Sequence, residues 1–122
     1  MNTEGKPPKH YDLENRTFAF AKTARPFVKG LPKTIANIED VKQCARASGS
    51  VGANYIEANE TLGKKDFVMK IRFCRREAKE SRYWLGLIDT DGKSESTRDR
   101  WLGEVDELMK IFGAIVRRCG EG

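Results

Sequence analysis

Histidine is almost absent from this chain of 122 residues: His10 is the only one. That excludes most of the chemistry of helical enzymes. A di-iron bundle needs Glu-x-x-His on two helices besides two further glutamates. A helical ribonuclease built on an Arg with a His a few residues on has no such pair here. A lone His before the first helical pattern supports neither a Ser–His nor a Cys–His nucleophile. Cysteine is scarce as well. Cys44, Cys74 and Cys119 are odd in number and widely spaced, which suits neither a disulfide framework nor a zinc motif. Each falls in a helical pattern, where a reduced thiol acts as a small apolar residue. Gly49-Ser50-Val51-Gly52 is too short for a phosphate-binding loop and lacks the Gly-Lys-Ser/Thr ending. No catalytic apparatus, metal site or cofactor site is therefore expected.

Long apolar runs are missing too. None approaches the roughly 20 residues of a membrane span. Met1 to Lys9 is polar and rich in Gly, Pro and Lys, without the apolar stretch of a signal peptide. The expectation is a cytoplasmic protein with a short disordered lead over residues 1–10. Strand-like alternation is also lacking.

What the chain does have is helical periodicity, in four segments forming one domain over residues 1–122. The first runs from about Leu13 to Val28, with Asp12 as N-cap and a face made by Phe18, Ala21, Arg25 and Val28. Phe20, Ala24 and Phe27 widen that face. Pro26 is expected to kink or shorten the last turn. The second begins near Thr34 or Asn37 and carries a heptad seam through Ile38, Val41, Ala45, Ser48, Gly52, Tyr55, Asn59 and Leu62. Its middle is unusually small. Glycine inside a helix costs about 1 kcal/mol relative to alanine, so Ser48, Gly49 and Gly52 predict the close approach of another helix, from the same bundle or from a neighbouring subunit.

The third segment holds Phe67, Ile71, Cys74, Ala78, Ser81, Leu85 and Ile88 in heptad phase. Asp89 to Lys93 is turn-forming. Ser96 with Asp99 resembles a capping box. The fourth shows Trp101, Val105, Leu108, Phe112, Ile115 and Cys119, with Gly120 as a stop. Trp84 and Trp101 sit at or beside the seam, where burial is the default. Short connections make neighbours antiparallel. The fold class is all-α, an antiparallel up-down-up-down four-helix bundle.

Charge is unevenly placed. The net charge is +5, and the stretch from Lys64 to Ile88, with eight bases against three acids, accounts for all of it. With the apolar seam inward, Lys65, Arg72, Arg76 and Lys79 fall on the outer face of the third helix, near Tyr83. Such a stripe can track phosphates, and the aromatic can stack on a base. Arg75 and Arg82 flank the seam, placed to snorkel or to bridge to carboxylates. The bland alternative is a solvated helix surface. Glu60 with Lys64 and Asp66 with Lys70 have the favourable i,i+4 order, worth about 0.2–0.5 kcal/mol a pair.

Three runs resemble one family: Ser48-Gly49-Ser50-Val51-Gly52-Ala53-Asn54-Tyr55-Ile56-Glu57-Ala58-Asn59-Glu60, then Lys64-Lys65-Asp66-Phe67, then Cys74 through Leu85. They are similar to the bacterial four-helix bundle proteins encoded in 23S rRNA intervening sequences. The resemblance spans roughly Tyr11 to the C-terminus. It implies an antiparallel bundle assembled as a ring-like homopentamer. It also implies kinship with the accessory variability determinant of diversity-generating retroelements, a basic pentamer that engages a reverse transcriptase and nucleic acid. Gly63 departs from the family pattern, where a Ser cap is expected. The family brings no catalytic residues. The expected function is thus a non-enzymatic homo-oligomer binding RNA or another nucleic acid through Lys65, Arg72, Arg76 and Lys79, with Arg75, Arg82 and Tyr83 secondary. The alternative is a scaffold that docks an acidic partner such as a reverse-transcriptase-like protein.

Overall fold

The structure, a computed structural model, describes residues 13–92 and 94–120. The lead over residues 1–10, with His10, and the Asp12 cap lie outside the described residues, as do Lys93 and the side chains of Arg25, Pro26 and Val28. Four helices follow in order: α1 (Leu13–Lys29), α2 (Ile35–Ala58), α3 (Lys64–Leu87) and α4 (Glu95–Arg118). Among the described residues there is no strand. Each helix packs on the next, and α1 closes against α4. This is an all-α, antiparallel up-down-up-down bundle. Diagonal helices meet through side chains, as Tyr55 and Phe112 do at 6.3 Å between ring centroids.

On α1 the buried stripe is Leu13, Thr17, Phe20, Ala24 and Phe27, continued by Leu31 after the helix. Of the expected face, Phe20, Ala24 and Phe27 are buried, while Phe18 is not and Ala21 is only half-buried, so the stripe is centred about one residue, or about 100°, away from Phe18 and Ala21. Phe18 is 66% exposed, and the Lys22 ammonium lies 5.6 Å from its ring. The cause is Thr17. Its hydroxyl donates to the Leu13 carbonyl at 2.8 Å, so the side chain enters the core with its polar atom satisfied. The helix also continues past position 26 to Lys29 rather than stopping short, with Phe27 and Leu31 anchoring its end in the core.

Thr34 caps α2, its hydroxyl accepting from the Asn37 amide at 3.1 Å. The helix is continuous through the small-residue stretch. Its buried residues are Asn37, Cys44, Ala47, Ser48, Val51 and Ala58, with Val41 and Tyr55 packed beside them. The predicted seam therefore holds only in part. Ile38 is exposed, Asn59 is the C-cap, and Leu62 lies beyond the helix in full solvent. The helix ends here because Asn59, Glu60 and Thr61 turn their amides back onto the carbonyls of Tyr55, Glu57 and Ala58.

The α3 seam matches the expectation: Ile71, Cys74, Ala78, Ser81 and Leu85 are buried, with Ile88 just beyond the helix, Val68 added and Phe67 half-buried. Gly63 is the N-cap and supplies no side-chain bond. The pairing of α2 with α3 is the most extensive in the bundle. Small buried residues on both helices allow it, and the Cys44 thiol reaches the Ser81 carbonyl at 3.9 Å. The turn to α4 carries Gly92 at φ 89°, the left-handed region that glycine favours. The capping box at Ser96 and Asp99 does not form. Ser94 is the N-cap, without a side-chain bond, and Arg98 on the first turn donates to the Ile88 carbonyl at 2.8 Å instead. On α4, Trp101, Val105, Leu108, Phe112 and Val116 are buried, with Ile115 and Cys119 half-buried. The Trp101 ring stacks on Phe20 at 4.6 Å, and its N–H donates to the Phe20 carbonyl at 2.7 Å. Gly120, at φ 84°, ends the helix.

Candidate nucleic-acid interface

The apolar seam of α3 fixes which way its charges point. Lys65, Arg72, Arg76 and Lys79 are all exposed on the outer face. Arg75 and Arg82 are exposed beside it, and Tyr83 is exposed with its ring edge-on to Trp84 at 5.2 Å. Trp84 itself is half-buried against the core.

Two of the three acids of α3, Glu77 and Glu80, go the other way. Arg46 of α2 holds both Glu77 (3.4 Å) and Glu80 (2.8 Å). Lys70 pairs with Glu57 of α2 at 2.6 Å, not with Asp66 in its own helix. Glu60 and Lys64 do not share a helix, because α2 ends at Ala58. So the α2 side of α3 is charge-balanced, and the cationic excess is turned outward and toward α4.

There, Arg72, Arg75, Arg76 and Lys79 line one wall of a groove of about 410 Å³, whose other wall is Gly113, Val116 and Arg117 of α4. Lys65 lies one heptad before Arg72 and is not part of this lining. A second hollow of about 370 Å³ adjoins it, lined by Arg75, Asp106, Met109, Lys110, Gly113 and Arg117. Arg75, Gly113 and Arg117 are common to both. Asp106, the acid in this stretch, accepts from Arg82 at 2.7 Å. Arg82 is thereby engaged in a carboxylate bridge, one of the two roles its position flanking the seam allows.

Three α4 residues and one on α3 extend the site beyond the basic stripe. Lys110, Gly113 and Arg117 stand at i, i+3 and i+7 and so share one face of α4. That spacing was the available signal. Phe73 is half-buried on α3, with the Arg76 guanidinium 4.9 Å and the Lys70 ammonium 5.7 Å from its ring centroid. A ring that attracts two cations holds them at the surface in a defined place.

The small-residue patch divides. Ser48 is fully buried, its hydroxyl donating to the Ala45 carbonyl at 3.2 Å. At Gly52 a Cβ would lie 3.1 Å from the Thr17 hydroxyl, so this glycine admits α1 of the same bundle. At Gly49 a Cβ would meet nothing within 4 Å. Only Gly49 of the three faces outward.

The thiols are poorly suited to nucleophilic work. Burial pushes Cys44 and Cys74 up to about 12, which keeps both protonated at neutral pH. Among the described residues no group of three or more His, Cys, Asp or Glu is placed to hold a metal ion, and no helix is long and apolar enough to cross a membrane.

The profile of the 23S rRNA-intervening sequence protein family matches residues 9–114. The chain belongs to that family. A crystal structure from Bacteroides thetaiotaomicron, of a protein of unknown function from the S23 ribosomal protein family, is similar at 27% identity with a TM-score of 0.70. The similarity covers 84% of this chain and 96% of that one. No curated protein matches. The family match reaches into α4 as far as residue 114, and so takes in Gly113 but stops short of Val116 and Arg117.

Proposed function

We propose that this chain is a non-catalytic, cytoplasmic, homo-oligomeric bundle that binds RNA through the outer face of α3. The observation that carries the reading is the groove between α3 and α4, in which five Lys and Arg side chains converge without a lining carboxylate. Cations confined to a concave surface raise the local potential and draw in phosphates. The family's link to 23S rRNA names the polyanion class to try first. Little base specificity is expected, since phosphate contacts position a strand without reading it.

Assembly into a five-membered ring would repeat the groove around an axis, and weak contacts would then add through effective concentration. The outward Gly49 is the place on α2 where a neighbouring helix would approach most closely.

The test is fluorescence anisotropy with a structured ribosomal RNA fragment at about 50 and 200 mM salt. Contact with six or more phosphates weakens binding by about 10³ between those two conditions. Reversal of Lys65, Arg72, Arg76 and Lys79 to Glu should abolish binding with helicity intact. Unchanged affinity would remove the site from α3. No binding even at the lower salt would leave the groove to an acidic protein partner, such as a reverse-transcriptase-like protein, and pull-down with that protein would then replace RNA as the assay.

A further inference from the structure

Arg75 and Arg117 come from different helices and converge on one glycine. From the point where a Cβ on Gly113 would sit, Arg117 Nη1 is 3.5 Å away and Arg75 Nε is 3.7 Å away. Two like charges thus flank bare backbone. Among the described residues, neither guanidinium has an ion-pair or hydrogen-bond partner. Elsewhere on the same pair of helices the pattern differs: Arg82, one heptad after Arg75, is matched by Asp106. Juxtaposed guanidiniums repel unless an anion lies between them, and a guanidinium fork matches the oxygens of a phosphate in shape and charge.

We propose that Arg75 and Arg117 clamp one phosphate group over Gly113, making α4 the second half of the binding surface. The clamp rests on the reading that the ligand is a nucleic acid. It adds to that reading the place where a single phosphate is fixed, and it moves the centre of the site from the outer face of α3 into the groove. The absence of a side chain at position 113 leaves the phosphate oxygens room to approach both forks. The hollows of about 410 and 370 Å³ that meet at these residues lie on either side of the clamp. A strand can therefore continue in both directions from the held phosphate. That favours an internal phosphodiester over a free phosphate ion.

Two probes separate those sources. The first is a fluorescein-labelled single-stranded oligouridylate, titrated by anisotropy over a series of salt concentrations. Arg117→Gln should weaken it about tenfold at low salt and lower the slope of log K against log salt by about 0.7, the value of one phosphate on a single strand. Gly113→Leu keeps both arginines and fills the point between them, and it should give the same loss. Arg100→Gln, an exposed base on the α1 side of α4, is the control and should change nothing beyond its share of net charge. The second probe is inorganic phosphate against chloride at equal ionic strength, followed through the arginine Nε–H signals in ¹⁵N NMR. Circular dichroism checks that each variant remains helical.

Loss with both variants on the oligonucleotide establishes the clamp. If RNA binds, and both variants bind it as tightly and with the same slope as the parent, the clamp is overturned while the RNA reading stands. If the oligonucleotide fails to bind the parent but phosphate moves the Arg75 and Arg117 signals, the clamp stands as a free-phosphate site and the RNA reading falls. If neither probe binds, both are overturned.

Discussion

Asn37 and Asp89 are joined in both directions: the Asn37 amide N–H donates to the Asp89 carbonyl, and its oxygen accepts from the Asp89 N–H, each at 2.9 Å. The same amide nitrogen also donates to the Pro32 carbonyl at 2.9 Å. One buried side chain thereby ties the α1–α2 connection to the α3–α4 turn. Asn37→Ala leaves these backbone groups without their partner, at a cost of about 1–3 kcal/mol. Asn37→Asp should cost more, because a carboxylate keeps the bond from the Asp89 N–H but faces two carbonyl oxygens. Urea unfolding followed by circular dichroism orders the three proteins. Asn37→Asp as stable as the parent would show that the amide donors contribute nothing.

The approach of Thr17 to Gly52 predicts a coupling. Gly52→Ala gains helix propensity but sets a methyl 3.1 Å from the Thr17 hydroxyl. That hydroxyl is fixed by its bond to the Leu13 carbonyl, so it cannot swing aside without losing a partner. The net result should be a loss of about 1 kcal/mol, since overpacking a filled site costs 1–3 kcal/mol. Gly52→Ala in a Thr17→Ala background should lose less or gain. A double-mutant cycle in urea measures the difference. Strict additivity would mean that α1 shifts freely.

Gly49 and Gly103 form a contrasting pair. Neither would meet anything within 4 Å if given a Cβ. In an isolated bundle each change to Ala should therefore raise stability, by about 0.5–1 kcal/mol. If α2 packs against a neighbouring subunit at Gly49, Gly49→Ala should instead weaken assembly while Gly103→Ala does not. Sedimentation equilibrium of the two variants decides. Identical behaviour would place the subunit contact elsewhere.

The cysteines predict both a reactivity and a pH profile. Cys44 and Cys74 are buried and pushed up to about 12, against an ordinary value of 9.0. Above pH 9 the unfolded chain releases these protons while the folded chain retains them. Unfolding then becomes more favourable as pH rises, so stability is complete below pH 9 and falls between pH 9 and 12. Cys44→Ala/Cys74→Ala should flatten that slope. At pH 8, iodoacetamide should modify the half-exposed Cys119 first, as read by peptide mass spectrometry. Equal labelling of all three would mean that the core opens readily.

The helical architecture was legible in the residues, and most fully on α3 and α4. There the apolar positions fall on the heptad and the outward positions are charged, so period and composition agree. On α1 the period was right and Phe20, Ala24 and Phe27 were placed correctly, but Phe18 was read as core and Thr17 was not, since Thr17 reads as polar while its hydroxyl is satisfied within its own helix. On α2 the exposed side carries Ile35, Ile38 and Ile56, which in a sequence look like core. Half of the basic groove could be read as well, since α3 concentrates the bases. The α4 half had only the shared face of Lys110, Gly113 and Arg117 to announce it, and that spacing does not say which helix the face meets. Arg117 lies far along the chain from Arg75, and Gly113 has no meaning until two guanidiniums are seen beside it.

The sorting of charge on α3, with Glu77 and Glu80 drawn to Arg46 and the arginines turned to the opposite flank, has a kinetic consequence. It gives the helix a moment across its axis as well as along it. A polyanion approaching from several ångströms away exerts a torque on such a body before any contact forms. Were a polyanion the ligand, the molecule would be rotated groove-first, so that a larger share of collisions would be productive and association would outrun random docking. The advantage fades as added salt shortens the range of the field to about 8 Å at physiological strength.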